Sequence, residues 1–329
     1  MRKIILDVDT GNDDALAIIT AALSPDIELK AITCVHGNLP LKNTTENTLR
    51  VAELVCPDVP VYAGCSRPMV QDIYPGRLGA RRHWATLELF DEEGNPVFVH
   101  NPYLPLPEAK KKPEEQHAVS FLVETLRKEK CTVVAVGPAT NVAMALRMDP
   151  DIVNNIEELV VMGGGVHRYN LSQAAEANFF WDPDAAAIML QAKTRITLLP
   201  LDATSTATFS EEEGNEIAAI GNEVAKFFAG RILDLYKYHK YRGTSQTDDV
   251  TKFDAAIHDV LCILYLIDPS ILVDVRHQTP FVHIGGGVCE GMLVVDTRAG
   301  MPVEGDVHIA YKVDKEKVKN MLMELLKKA

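Results

Sequence analysis

An open, mostly parallel (Rossmann-like) α/β sheet flanked by helices, with a few extra short strands near the C-terminus, is the fold that three features of this 329-residue chain predict. Apolar runs of strand length alternate with helical segments from the first residues onward. Runs such as "KIILDV" read as fully buried, as strands covered on both faces are. Polar, charged and glycine residues gather directly after them, at what would be the carboxyl ends of parallel strands, where open sheets bind their ligands.

"KIILDV" predicts a fully buried first strand. "DDALAIITAAL" follows as a helix with acid in its first turn, where the macrodipole favours it, and Pro25 stops it. "ELKAITCVHGN" is a second buried strand ending in Gly37-Asn38, "KNTTENTLRVAELV" a helix and "VPVYAG" a short strand. This alternation predicts right-handed crossovers. Between about 67 and 113 the pattern breaks into Pro, Gly, Arg and aromatic residues without a period. Long irregular segments of this kind are functional loops or flaps. The pattern then resumes: "EQHAVSFLVETLRK" is helical, "CTVVAVG" a strand, "NVAMALRM" a helix, and "EELVVMGGG" a strand ending in glycines. "DPDAAAIMLQA" is a helix and "RITLLPLD" a strand. Residues from about 211 to 241 and "DAAIHDVLCILYLI" are expected to be helical. "FVHIGG", "GMLVVD" and "VHIAYKV" are expected as short strands before a closing helix. No repeat or low-complexity linker divides the chain, so residues 1–329 are expected to form one domain.

Composition narrows the function. With 47% hydrophobic and 24% charged residues the chain can build a substantial core. A net charge of −13 argues against nucleic acid or an anionic membrane as partner and permits a small neutral substrate. The six cysteines include no CxxC pair and sit mostly in apolar runs. They are expected to be reduced, in a cytoplasmic protein. The amino terminus, "MRKIILDVDT", is not expected to act as a signal peptide, and no apolar run is long enough to span a bilayer.

"DVDTGNDD" packs four carboxylates into eight positions at the mouth of the first strand. Like charges this close repel, and a buried, unpaired carboxylate is costly. Either the segment is a solvated turn capping a helix, or Asp9, Asp13 and Asp14 hold a hard cation, which takes oxygen ligands. "DVDTG" also looks like the DxDxT motif of metal-dependent phosphatases, in which the first Asp attacks phosphorus, but no convincing match to that class follows. The later acidic pair of that class has only Asp248-Asp249 as a match, in a polar loop. In "NLSQAAEANFFWDP", Asn170, Glu176 and Asn178 follow three glycines. Carboxylate and amide groups together suit a polyhydroxylated ligand such as a sugar, or a plain polar surface loop. His258 and Asp259 open an otherwise apolar helix. They are either a partly solvated pair or a cation ligand beside a general acid.

The ordered set "DVDTGNDDALAI", "VHGN", "VGPATNVAMAL", "VMGGGV", "DPDAAA" and "HD…YLIDP" resembles the inosine–uridine preferring nucleoside hydrolase family over nearly the whole chain. The resemblance implies hydrolysis of the N-glycosidic bond of ribonucleosides, of inosine–uridine or pyrimidine type, to ribose and free base. It implies a Ca²⁺ held by Asp9, Asp14, Asp259 and the backbone carbonyl of Val136, with Asp9 also deprotonating the attacking, metal-held water. Asp13 and Asn178 would hold the ribose hydroxyls, Asn38 would orient water and sugar, and Asn170 and Glu176 would grip the 5′-hydroxyl. His258 would protonate or stabilise the departing base. Asp7 would be a structural or supporting group. In the irregular segment His83 is the candidate base-contacting histidine, and Arg81, Arg82 and Trp84 could admit a modified or bulkier leaving group. Tyr236, with His239 and Tyr241, is expected on the base side. A homodimer or homotetramer is implied, with a small-molecule nucleoside as the partner. Three alternatives remain at this point: a hydrolase of a modified or other ribosyl compound on the same fold, a DxDxT phosphatase, or a non-catalytic nucleoside- or ribose-binding protein on that fold.

Overall fold

The computed structural model describes residues 1–70, 73, 74, 77, 89–298 and 307–329. The chain begins with β1 (Arg2–Val8), α1 (Asn12–Leu23), β2 (Ile27–Cys34), α2 (Leu41–Val55) and β3 (Val61–Ala63). The hairpin of β4 (Leu89–Phe90) and β5 (Pro96–Val97) follows, then α3 (Ala118–Leu126), β6 (Cys131–Ala135), α4 (Thr140–Met148) and β7 (Ile156–Met162). Next come α5 (Ala177–Trp181), α6 (Pro183–Leu190), β8 (Ile196–Leu199), α7 (Leu201–Thr204), β9 (Thr208–Phe209), α8 (Glu211–Ala218) and α9 (Glu223–Arg242). The chain closes with β10 (Ala255–Ala256), α10 (Val260–Ile267), β11 (Leu272–Gln278), β12 (Phe281–Val282), β13 (Leu293–Val294), β14 (Val307–Val313) and α11 (Lys315–Leu326).

Among the described residues eight strands form one sheet in the order β11-β14-β8-β7-β6-β1-β2-β3. All neighbours are parallel except β11, which runs antiparallel to β14 at the edge. From β1 the chain winds outward through β2 and β3, and then crosses to β6 on the other side of β1. The β1/β6 boundary is therefore the switch point, and its carboxyl end is the crevice where such sheets place ligands.

Side chains alternate across the sheet, so the central strands feed two cores. Ile4, Leu6 and Val8 pack with Leu16 and Ile18 of α1, Phe228 of α9 and Leu261 of α10. Ile5 faces the other way, toward Leu122 of α3, Val142 of α4 and Met189 of α6. Burial on both faces explains the uninterrupted apolar runs.

Three elements differ from the sequence expectation. β11 was not foreseen, because "LVDVRHQ" is a half-exposed edge strand carrying charge rather than an apolar run. "VHIAYKV" is a full member of the main sheet, parallel to β8, rather than a short accessory strand. The predicted helix "DAAIHDVLCILYLI" begins only at Val260, since Ala255 and Ala256 pair with Phe209 and Thr208 and stay extended. His258 and Asp259 thus stand in the turn before α10, with Asp259 at its N-cap. The helical stretch 211–241 is two helices, and the Asn222 side chain accepts from Ala225 N (2.7 Å) to start the second. No helix among the described residues is long and apolar enough to cross a membrane, and the six cysteines are free thiols.

Candidate active site

The carboxyl end of β1 turns directly into α1, and this turn carries Asp9, Asp13 and Asp14. Asp14 folds back on the turn: its Oδ1 accepts from Asp9 N (3.0 Å) and its Oδ2 from Gly11 N (2.9 Å). The Asp9 side chain is held from the loop after β2, where Asn38 N donates to Oδ2 at 2.6 Å. Asn38 Nδ2 reaches Asp14 Oδ2 at 3.4 Å. Gly37 permits this approach, since a Cβ there would lie 2.0 Å from Asp9 Oδ2 and 2.8 Å from Pro138 Cδ.

Asp13, Asp14 and Asp259 bring carboxylate oxygens within 4.8 Å of one another, and all three are buried. Asp9 Oδ1 and Asp13 Oδ1 are buried without a hydrogen-bond partner. Unpartnered buried carboxylate oxygens are costly, and a hard cation resolves that cost through its preference for oxygen ligands. The residues therefore fit a divalent cation. The Val136 carbonyl, at the end of β6, accepts from Asn178 Nδ2 (2.7 Å). A carbonyl oxygen has two lone pairs, so it can still face a cation.

Above this floor opens a cavity of about 850 Å³, lined by Asp13, Asn38, Val136, Asn170, Glu176, Asn178, His258 and Asp259 among others. Glu176 caps α5, accepting from Gly164 N (2.7 Å), Asn178 N (2.9 Å) and Phe179 N (3.2 Å). Asn170 Oδ1 accepts from Ala177 N (3.0 Å), which leaves its amide N–H groups for a ligand. Asn178 spends its N–H groups on the carbonyls of Val136 and Met162, which leaves its oxygen as an acceptor. On α9 the cavity face is Leu235, Tyr238, His239 and Arg242, spaced i, i+3, i+4 and i+7. Tyr236 lies off that stripe and packs against the core, so Tyr238 takes the place expected of it. His83, with Arg81, Arg82 and Trp84, lies outside the described residues. Sequence reasoning missed His100, Tyr238 and Thr204. No motif marks them, and only the packing of the 99–106 segment, α9 and α7 brings them to the site.

Burial pushes the Asp9, Asp13 and Asp259 carboxyls well up, and neighbouring aspartates push them further; Asp13 rises to about 8. Asp14 is raised by burial against four opposing hydrogen bonds. Burial also raises Glu176 to about 7. His258 is lowered to about 3, first by burial and then by His239 and His100, so its imidazole is neutral. Its Nδ1 lies 2.7 Å from Thr204 Oγ1.

These raised carboxyls set the pH dependence of the metal-free protein. A folded-state pKa above the unfolded value means that the native state binds more protons between the two, so stability falls as pH rises through that window. For Asp13 the window runs from about 4 to about 8, and for Glu176 from about 4.5 to about 7. The melting temperature of chelator-treated protein is expected to fall from pH 5 to pH 8. An added divalent cation that binds there is expected to raise it more at pH 8 than at pH 5, because cation binding needs ionised ligands. Equal metal stabilisation at both pH values would contradict this.

Asp7 settles the phosphatase alternative. It is fully buried within β1, with Oδ1 accepting from Thr33 Oγ1 (2.5 Å) and Asn141 Nδ2 (2.8 Å). A side chain tied into the sheet interior cannot attack phosphorus in the cavity.

A doubly wound sheet with a buried acidic floor at its switch point, under a cavity rich in amides, is the arrangement of a metal-dependent hydrolase of small hydroxyl-rich substrates. The chain belongs to the inosine–uridine preferring nucleoside hydrolase family, whose sequence model matches residues 4–320. Members of this family are enzymes that hydrolyse the N-glycosidic bond of ribonucleosides. The chain is 35% identical over 333 residues to the inosine-uridine preferring nucleoside hydrolase of Leishmania major, covering 99% of this chain and 98% of that protein. It is 32% identical to the pyrimidine-specific ribonucleoside hydrolase RihA of an Escherichia coli strain, covering 98% of each. The solved purine-preferring ribonucleoside hydrolase of Gardnerella vaginalis superposes with a TM-score of 0.83 at 27% identity, covering 100% of both chains.

Proposed function

We propose that the protein uses Ca²⁺ to hydrolyse ribonucleosides of inosine–uridine or pyrimidine type to ribose and free base. One observation carries this reading: buried, unpartnered carboxylate oxygens on Asp9 and Asp13 lie at the switch point under a cavity lined by Asn38, Asn170 and Asn178. Asp9, Asp14, Asp259 and the Val136 carbonyl would hold the cation. When bound, it would lower the pKa of water and supply coordination for the sugar hydroxyls.

The chain's own groups do the rest. Asp9 Oδ2 is held by Asn38 N, so Oδ1 is the atom that takes the proton of the attacking water. Asp13 and the Asn178 oxygen accept from the ribose hydroxyls. Asn170 and Glu176 bind the 5′-hydroxyl. As the bond to the base lengthens, positive charge grows on the ribosyl ring, and the surrounding carboxylates stabilise it. His258, neutral and held through Nδ1 by Thr204, presents Nε2 to the leaving base.

Removing the 2′-hydroxyl tests the assignment. A hydrogen bond to a charged group contributes roughly 1.5–3 kcal/mol. The 2′-deoxy sugar would also offer one oxygen fewer to a bound cation. On 2′-deoxyuridine kcat/KM is therefore expected to fall about 100-fold or more below that on uridine. Comparable rates would overturn the roles of Asp13 and Asn178. A ribosyl compound with a larger leaving group is the second reading, favoured by the 850 Å³ cavity. It would appear as metal-dependent turnover of such a compound with none of any common nucleoside.

A further inference from the structure

The aspartate turn is fastened from an unexpected direction. Residues 99–106 cross over it as a strap, leaving the irregular segment and returning toward α3. Asn12 Nδ2 donates to Val99 O (2.8 Å), and Asn12 N donates to His100 Nδ1 (3.3 Å). From the other side Asn47 of α2 bridges the two: its Nδ2 donates to Thr10 O (3.2 Å) and its Oδ1 accepts from Leu104 N (2.9 Å). The strap is itself anchored. Asn101 Nδ2 reaches Asp234 Oδ2 on α9 (3.2 Å), and Asn43 Nδ2 reaches Pro102 O (3.1 Å).

The approach at His100 is the tightest. A Cβ on Gly11 would lie 2.0 Å from His100 Nδ1, so the ring sits against the backbone of the turn and only glycine allows it. Gly11 N and Asp9 N are the two amides that hold the Asp14 carboxylate. The residue touching Gly11 therefore decides where Asp14 stands. A backbone N–H can only donate, so the neutral His100 ring accepts at Nδ1 and carries its proton at Nε2.

We propose that His100 is the positioning residue of the aspartate turn, acting through Gly11 and Asn12 to hold Asp14 in place for the cation. This rests on the metal-site reading above. It assigns to His100 no contact with the reacting atoms; its part is to fix the geometry of the carboxylates beneath.

Side-chain replacements separate the two ring nitrogens. Asparagine places an oxygen near the Nδ1 position and can still accept from Asn12 N. Glutamine places its amide near Nε2 and offers nothing at Nδ1. Outer-shell partners change metal affinity by about 10–100-fold. Calorimetry with Ca²⁺ on the full chain is expected to show about a 10-fold or greater loss for His100→Ala and His100→Gln, and less than about 3-fold for His100→Asn. Gly11→Ala should lose as much as His100→Ala, and the double variant no more than either, because the three atoms nearest the added methyl all belong to the His100 ring.

Hydrogen exchange on the metal-free proteins supplies a readout that does not depend on the cation. Exchange across residues 9–14 should quicken in His100→Ala and stay at the wild-type rate in His100→Asn. Unchanged exchange and unchanged Ca²⁺ affinity in His100→Ala would overturn the proposal, as would additive losses from Gly11→Ala and His100→Ala. A wild-type protein that binds no Ca²⁺ would instead overturn the metal-site reading, and the exchange measurement would still decide the positioning role.

Discussion

Asp9→Ala is expected to lower kcat/KM on inosine or uridine by about 10³-fold or more, roughly 4 kcal/mol of transition-state stabilisation at 1.36 kcal/mol per decade. The size follows from two losses at one carboxylate. Of the two Asp9 oxygens, Oδ2 accepts from Asn38 N and Oδ1 is buried without a partner, and so is the one left to take a proton. General-base catalysis alone is worth about 10²–10⁴-fold. The same carboxylate is one of the expected cation ligands, so Ca²⁺ affinity should fall in parallel. Asp9→Asn keeps the shape and the contact from Asn38 N, and it should lose turnover while staying folded. A fully active Asp9→Ala enzyme would remove this account of water activation.

His258→Ala is expected to act on the opposite side of the scissile bond, and selectively. A purine or pyrimidine leaving as an anion needs a hydrogen bond or a proton, whereas p-nitrophenolate does not. The variant should lose about 10²–10³-fold on inosine or uridine and less than about 10-fold on p-nitrophenyl riboside. Burial, with His239 and His100 nearby, holds His258 near 3 and therefore neutral through the working range. The wild-type rate should accordingly show no acid limb near pH 6.5 from this group. Equal losses on both substrates would argue against a leaving-group role.

Much of this site was legible in the sequence because its residues follow parallel strands. A run such as "KIILDV" must be covered on both faces, so whatever follows it emerges at the carboxyl edge. Asp9, Asn38, Gly137 and the segment that carries Asn178 could be placed together on that ground alone, whereas Val136 as a ligand came only from the family resemblance. The parts that were not legible depend on packing without a local pattern. Tyr238 rather than Tyr236 faces the cavity, and the difference is a matter of helix rotation, which aromatic composition cannot resolve. His100 comes from a segment with no period, and its meaning lies in Gly11, eighty-nine positions earlier. β11 escaped notice because an edge strand exposes half its side chains, so charge replaces the apolar signal.

The most direct test of the central claim is ribose release, measured as reducing sugar, from inosine, uridine, cytidine, adenosine and guanosine, before and after metal stripping. The account predicts release from inosine, from uridine or from the pyrimidine nucleosides, lost on stripping and restored by Ca²⁺. Turnover that survives complete removal of the metal would contradict it, and so would no release from any of the five by protein that still binds Ca²⁺.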